Sequence, residues 1–439
     1  MMNHFYSQPL LPRRDMLKIG AGAMIALGLN DAARVRAGAA PAAKTPAKNC
    51  VIVWLTGGPA TIDMWDLKPT APAHIRGDFA PIETTAAGVS ICEHLPQIAK
   101  VMDRCALVRS VSHTLADHAP GTELVATGHA PTPALVYPTF GALAGKLLLN
   151  STGGPSFMTV GDNPPGSSGF LGAAASPLAI RAADLTSSSR ANLPVELPDK
   201  FSAQDLERRD SLLRRLDAQF AALDNVGLNA ELSALERQAV EILRSNKIRQ
   251  ALDIQSEPEK GREAYGRGWP GQALLAARRL VESGVRVVTA TISGLDTHNG
   301  NFAQLRTALL PQLDRALAAL VADLDTRGLL GETIIYCAGE FGRTPIINPQ
   351  AGRDHWPRAM SVFLAGGPLP RGAAHGATDA QGMEPTAGAC APGDVNATLL
   401  AALGVSRDAS LTTPSGRPIT AMGDGAPIES LLQRSRVGS

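Results

Sequence analysis

Short, continuously apolar segments alternate with amphipathic helical patterns along this chain, and this alternation narrows its possible folds more than any other feature. Five apolar segments, most of them β-branched and bounded by glycine, are predicted strands: residues 49–56, 106–109, 285–292, 333–338 and 360–365. Strands that are apolar along their whole length are typical of a parallel sheet covered on both faces. The sequence therefore predicts an α/β protein.

Two predicted helices connect strands in the C-terminal half of the chain. Residues 269–283 carry Leu274, Ala277 and Leu280 on one face and stop at Gly284, directly before the next strand. Residues 302–327 repeat leucine every three or four positions, although Pro311 could interrupt that helix. Because strands and helices alternate, we expect a mostly parallel, doubly wound sheet.

Between about residues 199 and 267 the strand signal is absent, and two charged amphipathic helical patterns replace it. We interpret this region as a helical insertion that packs beside the sheet. The predicted organisation is an export signal at residues 1–39, a linker at 40–48, and one α/β domain at 49–439 that contains the insertion.

The N-terminal segment has the parts of an export signal in the usual order. Arg13 and Arg14 precede a small-residue apolar stretch at 19–29, and Ala37-Gly38-Ala39 forms a cleavage site. Paired arginines in this setting are typical of the twin-arginine signal, so the twin-arginine machinery is an expected partner and the protein is expected to be periplasmic or secreted. The apolar stretch is shorter than the ~20 residues that cross a bilayer, so no stable membrane anchor is expected.

Charge and cysteine content argue against two classes of protein, those that bind nucleic acid and those held together by disulfides. The formal net charge is +1 and no basic stripe is present, which argues against nucleic acid as a partner. The five cysteines are widely spaced and odd in number, so a disulfide framework is not expected.

Residues suited to a metal site or an anion site follow four of the predicted strands. They are Asp63, His118, Asp296 with His298, and Glu340 with Arg343 and His355. Ligands bind at the carboxyl ends of strands in open α/β sheets, so we expect these side chains to converge. Each residue alone has a structural alternative: Asp63 as a helix N-cap, His298 or His355 as a structural histidine, and Glu340 with Arg343 as an ion pair.

The mixture of imidazoles and carboxylates indicates which metals would suit such a site. Zinc, iron and manganese accept both ligand types, whereas calcium and magnesium prefer oxygen alone. We expect one or two divalent ions, with zinc as the first choice. Arg343 could hold an anionic group through a planar two-point contact, which together with a metal suggests phosphoryl or sulfuryl transfer or metal-assisted hydrolysis.

The order of several motifs resembles a known family. The segments LTGGPATIDMWDLKP, HAPGTELVATGHAP, GQALLAARRLVESGVRVVTA, LDTHNGNF and GEFGRTPIINPQAGRDHWP are similar to the exported family called domain of unknown function 1501 (DUF1501), from about residue 49 to 405. That family is placed in the alkaline phosphatase and sulfatase superfamily. The resemblance implies a three-layer α/β/α sandwich, with Asp63, Asp296, His298, Glu340 and His355 at the positions of superfamily metal ligands.

His118 marks a departure from that superfamily. HAPGTELVATGHAP is similar to the sulfatase signature, and His118 occupies the position of the cysteine that becomes formylglycine. A formylglycine sulfatase is therefore excluded. His118 could ligate a metal that activates a water nucleophile, it could form a covalent phospho-intermediate, or the site could bind without turnover.

These observations together predict an exported, metal-dependent hydrolase of phosphate or sulfate esters that acts on an anionic small molecule or glycan ester. The predicted metal ligands are Asp63, His118, Asp296, His298, Glu340 and His355, and the predicted catalytic residues are His118 and Arg343. The alternative is a non-catalytic metal-containing or glycan-binding protein of the same fold, in which Trp65 or Trp356 could stack on sugar or pack in the core. An open coordination position would distinguish a catalytic metal site from a structural one.

Overall fold

The computed structural model describes residues 45–148, 155–186 and 246–432. The predicted export signal lies outside the described residues, as do residues 199–245 of the predicted insertion. Among the described residues, none of the helices has the length and apolar character needed to span a membrane.

The strands and α-helices of the described residues are numbered in chain order. The strands are β1 Asn49–Leu55, β2 Pro81–Glu83, β3 Ser90–Cys92, β4 Cys105–Val111, β5 Phe157–Val160, β6 Leu178–Ile180, β7 Val287–Ile292, β8 Thr333–Ala338, β9 Gly342–Arg343, β10 His355–Trp356, β11 Met360–Gly366, β12 Ala373–His375, β13 Ala377–Thr378, β14 Pro385–Ala387, β15 Ser410–Thr412 and β16 Pro418–Thr420. The helices are α1 Thr61–Met64, α2 Ala73–Arg76, α3 Pro96–Ala99, α4 His118–Thr127, α5 Phe140–Leu147, α6 Ala182–Thr186, α7 Asn246–Leu252, α8 Glu259–Tyr265, α9 Trp269–Glu282, α10 Asn301–Gln304, α11 Leu310–Thr326, α12 Pro392–Ala402 and α13 Glu429–Leu432.

One eight-stranded sheet organises the described chain, in the order β12-β4-β11-β8-β1-β7-β5-β6. Strand β11 runs antiparallel to its neighbours β4 and β8, and the other pairings in this sheet are parallel. All five strands predicted from the sequence belong to this sheet. The prediction of a mostly parallel, doubly wound sheet is therefore confirmed.

Two separate apolar cores cover the two faces of the sheet. Alternate residues of β1 divide between them, with Val51 and Val53 in one core and Cys50 and Ile52 in the other. Helices α9 and α11 supply the first core, whereas α5 and α12 supply the second. Burying each such aliphatic side chain contributes roughly 1.5–3 kcal/mol, so both helical layers are needed to complete the fold. This arrangement is the expected three-layer α/β/α sandwich.

Helix α9 agrees closely with its sequence pattern, whereas the next predicted helix has an irregular start. The run from Asn301 begins as α10, passes through a π-helical turn at Leu305–Leu309, and continues as α11. Pro311 has no N–H to donate to the carbonyl four residues earlier. The wider π-helical turn accommodates the loss of that hydrogen bond.

Helices α7 and α8 are the described end of the predicted insertion, and they pack on α9 and α11. Tyr265 is buried and donates a hydrogen bond to Asp323 at 3.1 Å. The guanidinium of Arg278 lies 2.6 Å from Glu257 and 2.9 Å from Asp323, inside the same contact. The insertion as a unit stays a prediction, because most of it lies outside the described residues.

All five cysteines are buried and unpaired. Burial raises the pKa of the Cys50, Cys105 and Cys337 thiols, so these side chains act as small apolar groups in the core.

Candidate metal centre

The carboxyl ends of β4, β7 and β8 deliver predicted site residues to one place, and β1 ends beside them. His118 begins α4 in the segment after β4, Asp296 and His298 follow β7, and Glu340 follows β8. His355 returns through a short hairpin in which it pairs with Arg343 across β9 and β10. The backbone of Gly57, after β1, fits closely against Asp296, since a Cβ at Gly57 would lie 2.6 Å from the Asp296 nitrogen.

His118, Asp296 and His355 form the centre of the site. One ligand atom from each of the three lies within 4.8 Å of the others. Nε2 of His118 is 3.3 Å from Oδ2 of Asp296, and Nε2 of His355 is 3.4 Å from Oδ1 of the same carboxylate. The separation of these atoms leaves room for a small cation.

His298 adds a third imidazole to this group. Its Nε2 lies 3.1 Å from Oδ1 of Asp296 and 2.9 Å from Nε2 of His355. We call His118, Asp296, His298 and His355 the metal centre. The structure brings these four predicted residues together, and their role as metal ligands stays a prediction.

Each ring of the metal centre is oriented by a bond at its other nitrogen. Nδ1 lies 2.8 Å from Oε1 of Glu340 in His118, 2.8 Å from Oδ1 of Asp354 in His298, and 2.6 Å from the carbonyl oxygen of Ala116 in His355. A carbonyl and an ionised carboxylate can only accept, so Nδ1 carries the proton in each ring. The lone pair of each Nε2 is then available toward Asp296.

The 2.9 Å contact between Nε2 of His298 and Nε2 of His355 consequently needs a positive charge. Two neutral imidazoles with Nδ1 protonated would place two lone pairs against each other. Burial lowers the pKa of His355 against the opposing bond to Ala116, so protonation of that ring is disfavoured. A shared divalent cation satisfies both nitrogens.

Glu340 provides a second sign that the site suits a cation. Its side chain is 1% exposed, and Oε1 accepts the His118 ring and the Gly57 N–H, the latter at 2.9 Å. Oε2 is buried and has no hydrogen-bond partner among the described residues. A buried carboxylate oxygen without a partner is costly, whereas a neighbouring cation would offset that cost. The residues of the site therefore fit a divalent metal.

Arg343 is fully buried, and its donors are directed at the protein. Nε donates to the Gly58 carbonyl at 2.6 Å, Nη1 donates to the Arg353 carbonyl at 2.9 Å, and Nη2 donates to Asp296. Burial favours a higher pKa for Asp296, but the hydrogen bond and charge of Arg343, with the histidines, lower it overall. This geometry makes Arg343 the residue that orients Asp296, whereas the predicted contact between Arg343 and a substrate anion stays a prediction.

Asp63 differs from its predicted role as a metal ligand. Its side chain is 2% exposed, and both oxygens accept bonds from Arg353 at 2.7 Å, while Asn301 donates to Oδ2 at 2.7 Å. The bidentate guanidinium occupies the oxygens that a metal would need, so the structure does not bring Asp63 into the metal centre. Arg353 was missed by the sequence reasoning, although it stands two positions before His355 and its carbonyl accepts from Arg343.

Asp354 and His113 also contact residues of the site, whereas the predicted sugar-stacking residue Trp65 lies in the core. Asp354 orients His298, and that bond holds the pKa of Asp354 below its usual value. His113 bonds the Glu340 carbonyl at 2.9 Å. Trp65 is buried against Phe363, so it packs in the core and does not present a surface to sugar.

A cleft opens directly beside the metal centre. It has a volume of about 700 Å³ and is lined at one end by His118, Asp296 and Glu340. The side chains of His118 and Asp296 are 44% and 43% exposed, so this end is accessible. The volume is within the range of small-molecule sites.

Several solved structures are distantly similar to this chain. They include Ps i-CgsB (10% identity, 87% of this chain and 75% of that chain, TM-score 0.41) and the PsFucS1 sulfatase from Pseudoalteromonas sp. (12%, 90% and 72%, 0.36). An alkaline phosphatase from the Antarctic bacterium TAB5 matches at 10% identity over 82% of this chain and 99% of that one, with a TM-score of 0.35.

Sequence comparison identifies the family. No curated protein matches the chain. The model of the family described as "Protein of unknown function (DUF1501)" matches residues 47–432, which include both the sheet and the metal centre. The family predicted from the order of the motifs is thus confirmed, and this protein belongs to the DUF1501 family.

Proposed function

We propose that this protein is a metal-dependent hydrolase of phosphate or sulfate esters. The observation that carries the proposal is the 2.9 Å approach of Nε2 of His298 to Nε2 of His355 beside Asp296, with the other nitrogen of each ring already bonded to an acceptor. A bound divalent ion, zinc in the first place and iron or manganese as alternatives, would act as a Lewis acid and lower the pKa of a coordinated water toward neutrality.

The surrounding residues hold the ligands in position for that chemistry. Glu340 and Asp354 accept hydrogen bonds from the Nδ1–H groups of His118 and His298. These bonds fix the orientation of the rings and raise their basicity. Arg343 holds the carboxylate of Asp296 and keeps it ionised. The ligands are therefore oriented before a metal arrives, which reduces the entropy lost on binding.

The open side of the metal centre supports catalysis over a purely structural role. Structural sites enclose their metal, whereas catalytic sites leave a position for water and substrate. Here His118 and Asp296 face the cleft and remain almost half exposed. A non-catalytic metal protein would have no need for an accessible centre at the end of a 700 Å³ cleft.

The position of His118 at the first residue of α4 also favours an anionic ester. A helix N-terminus carries a partial positive charge and unpaired N–H groups, and this helix has ten residues. Of the three roles considered for His118, metal ligation is best supported. Nδ1 is committed to Glu340 and Nε2 points toward Asp296, within the metal centre.

Metal analysis combined with an ester screen tests the proposal. We expect the folded protein to contain a stoichiometric divalent metal that is lost in His298→Ala and His355→Ala and kept in His375→Ala. His375 is a matched control because it bonds Gly388 and Ser430 outside the centre. Turnover of p-nitrophenyl phosphate, bis(p-nitrophenyl) phosphate or p-nitrophenyl sulfate should depend on that metal.

Two outcomes would count against the hydrolase. A folded protein that takes up no zinc, iron or manganese after reconstitution would contradict the metal centre itself. A metal-loaded protein that turns over none of the three esters would favour the non-catalytic alternative.

A further inference from the structure

The cleft beside the metal centre has an apolar wall and a single additional carboxylate. Away from the metal centre, its described lining includes Val136, Tyr137, Pro164 and Pro165, with Glu123 as the one charged side chain. Lysine and arginine do not occur in the part of the lining that the structure describes. A substrate group in this cleft would therefore contact apolar surface and meet no cationic side chain.

Tyr137 gives this wall a fixed aromatic face. Its ring stacks on the ring of His129 with centroids 3.8 Å apart and planes 11° from parallel. Phe170 packs edge-to-face with the Tyr137 ring, with centroids 6.2 Å apart. A ring held by two aromatic neighbours is a rigid contact surface, which suits a flat or apolar substituent.

The charges around the centre limit how much negative charge a ligand can carry. Asp296, Glu340 and Asp354 oppose the single guanidinium of Arg343, while Asp63 and Arg353 neutralise each other. A divalent metal would offset the two remaining negative charges. The N-terminus of α4 adds about half a positive charge, and Glu123 adds a negative one.

We propose that this site selects esters whose reacting group carries one negative charge and whose other substituent is uncharged and largely apolar. The inference rests on the hydrolase function proposed above and narrows its substrates to phosphodiesters or sulfate monoesters of apolar or aromatic alcohols. Dianionic phosphate monoesters and polyanionic glycans fit poorly, because their second negative charge meets no cationic side chain among the described residues.

Glu123 is the residue that should sharpen this selection. It lies five positions after His118 on α4 and lines the same cleft, so it repels any additional negative charge on the ligand. Its replacement by glutamine removes the charge and keeps the shape and hydrogen-bonding capacity of the side chain. Glu123 does not belong to the metal centre, so metal content should be unchanged in this variant.

Binding of two matched phosphonates to the zinc-loaded protein tests the proposal without requiring turnover. Phenylphosphonate is a dianion above pH 8, and its methyl monoester is a monoanion with the same phenyl ring and the same stable P–C bond. We expect titration calorimetry to show the monoester binding about tenfold more tightly, the effect of one unit charge a few Å away in a partly solvated site. Glu123→Gln should reduce that preference, and Tyr137→Ala should weaken both ligands alike.

The outcomes of this experiment test the charge selectivity of the site independently of the proposed hydrolase activity. Equal or tighter binding of the dianion, or no binding of either phosphonate, would overturn the selectivity even if esters are hydrolysed. An unchanged preference in Glu123→Gln would remove Glu123 from the explanation. Failure of the proposed function would be seen instead as absent metal or absent turnover in the ester screen.

Discussion

Two carboxylates that follow strands of the same sheet have opposite surroundings. Asp63 is buried and saturated, because Arg353 and Asn301 occupy its oxygens. Asp296 is almost half exposed, holds one guanidinium, and faces the Nε2 atoms of three histidines. The difference shows that the charges of neighbouring side chains decide whether a carboxylate at a strand end is saturated or left accessible.

The two carboxylates are also connected. The side chain of Arg353 donates a hydrogen bond to Asp63, and its backbone carbonyl accepts one from Arg343. The guanidinium of Arg343 in turn donates to Asp296. Gly352 allows this path to pass close to His298, since a Cβ at Gly352 would lie 1.8 Å from the His298 carbonyl oxygen. Asp63 thus supports the metal centre without belonging to it.

The largest expected effect comes from breaking the buried pair. Arg353→Met should leave Asp63 as an uncompensated buried charge and reduce the free energy of unfolding by about 3–5 kcal/mol. Urea denaturation of the metal-free protein measures this loss. A double variant, Arg353→Met with Asp63→Leu, should recover part of the stability, because it removes the unpaired charge as well. A loss below about 1 kcal/mol in the single variant would show that the pair is not what stabilises these loops.

Unlike the buried Asp63–Arg353 pair, the metal centre should affect the stability of the protein only when metal is added. Zinc at 100 times its dissociation constant should raise the free energy of unfolding of the wild-type protein by about 2.7 kcal/mol. His298→Ala should abolish this gain while changing the metal-free stability little, because the side chain is 37% exposed. Thermal unfolding with and without zinc measures both effects, with His375→Ala as the control. An equal gain in His298→Ala and the wild-type protein would contradict the assignment of that ligand.

Glu340→Gln should have an intermediate effect. The amide oxygen can still accept from Gly57 and His118, but the negative charge and the unpartnered Oε2 are lost. We expect a 10–100-fold weaker metal affinity, the usual cost of altering a residue that orients a ligand. Competition with a chromogenic chelator measures the affinity. Unchanged affinity would mean that Glu340 neither orients His118 nor adds to the field of the metal.

The smallest effect concerns acid stability. The bond to His298 lowers the pKa of Asp354, so this carboxylate adds stability above its unfolded pKa of about 3.9, and that stability is lost as the pH falls through the lower folded value. Asp354→Asn should make the midpoint temperature of thermal unfolding only slightly less dependent on pH between pH 3 and 5, because the side chain is 54% exposed. A steeper loss in the variant than in the wild-type protein would reverse the sign of this contribution. Asp117→Asn is a suitable control, since Asp117 makes no side-chain cap bond at α4.

The elements that could be predicted from the sequence are those long enough to show a run or a period of hydrophobic residues. The central strands and helices α9 and α11 agree within a few residues, whereas β5, β6 and β12 have only three or four residues and give no recognisable pattern. The convergence of His118, Asp296 and His298 was predictable because each follows a strand of one sheet, whereas His355 reaches them through the β9–β10 hairpin. The pairing of Asp63 with Arg353 was not, since the 290 positions between them carry no local signal of their contact.

The central claim is that His118, Asp296, His298 and His355 hold a metal, and anomalous diffraction at the zinc absorption edge tests it most directly. Crystals of the zinc-loaded protein should show an anomalous peak bonded to Nε2 of the three histidines and to a carboxylate oxygen of Asp296, with Asp63 still paired to Arg353. A peak bonded to Asp63, or the absence of any peak between the histidines in zinc-loaded crystals, would contradict the account.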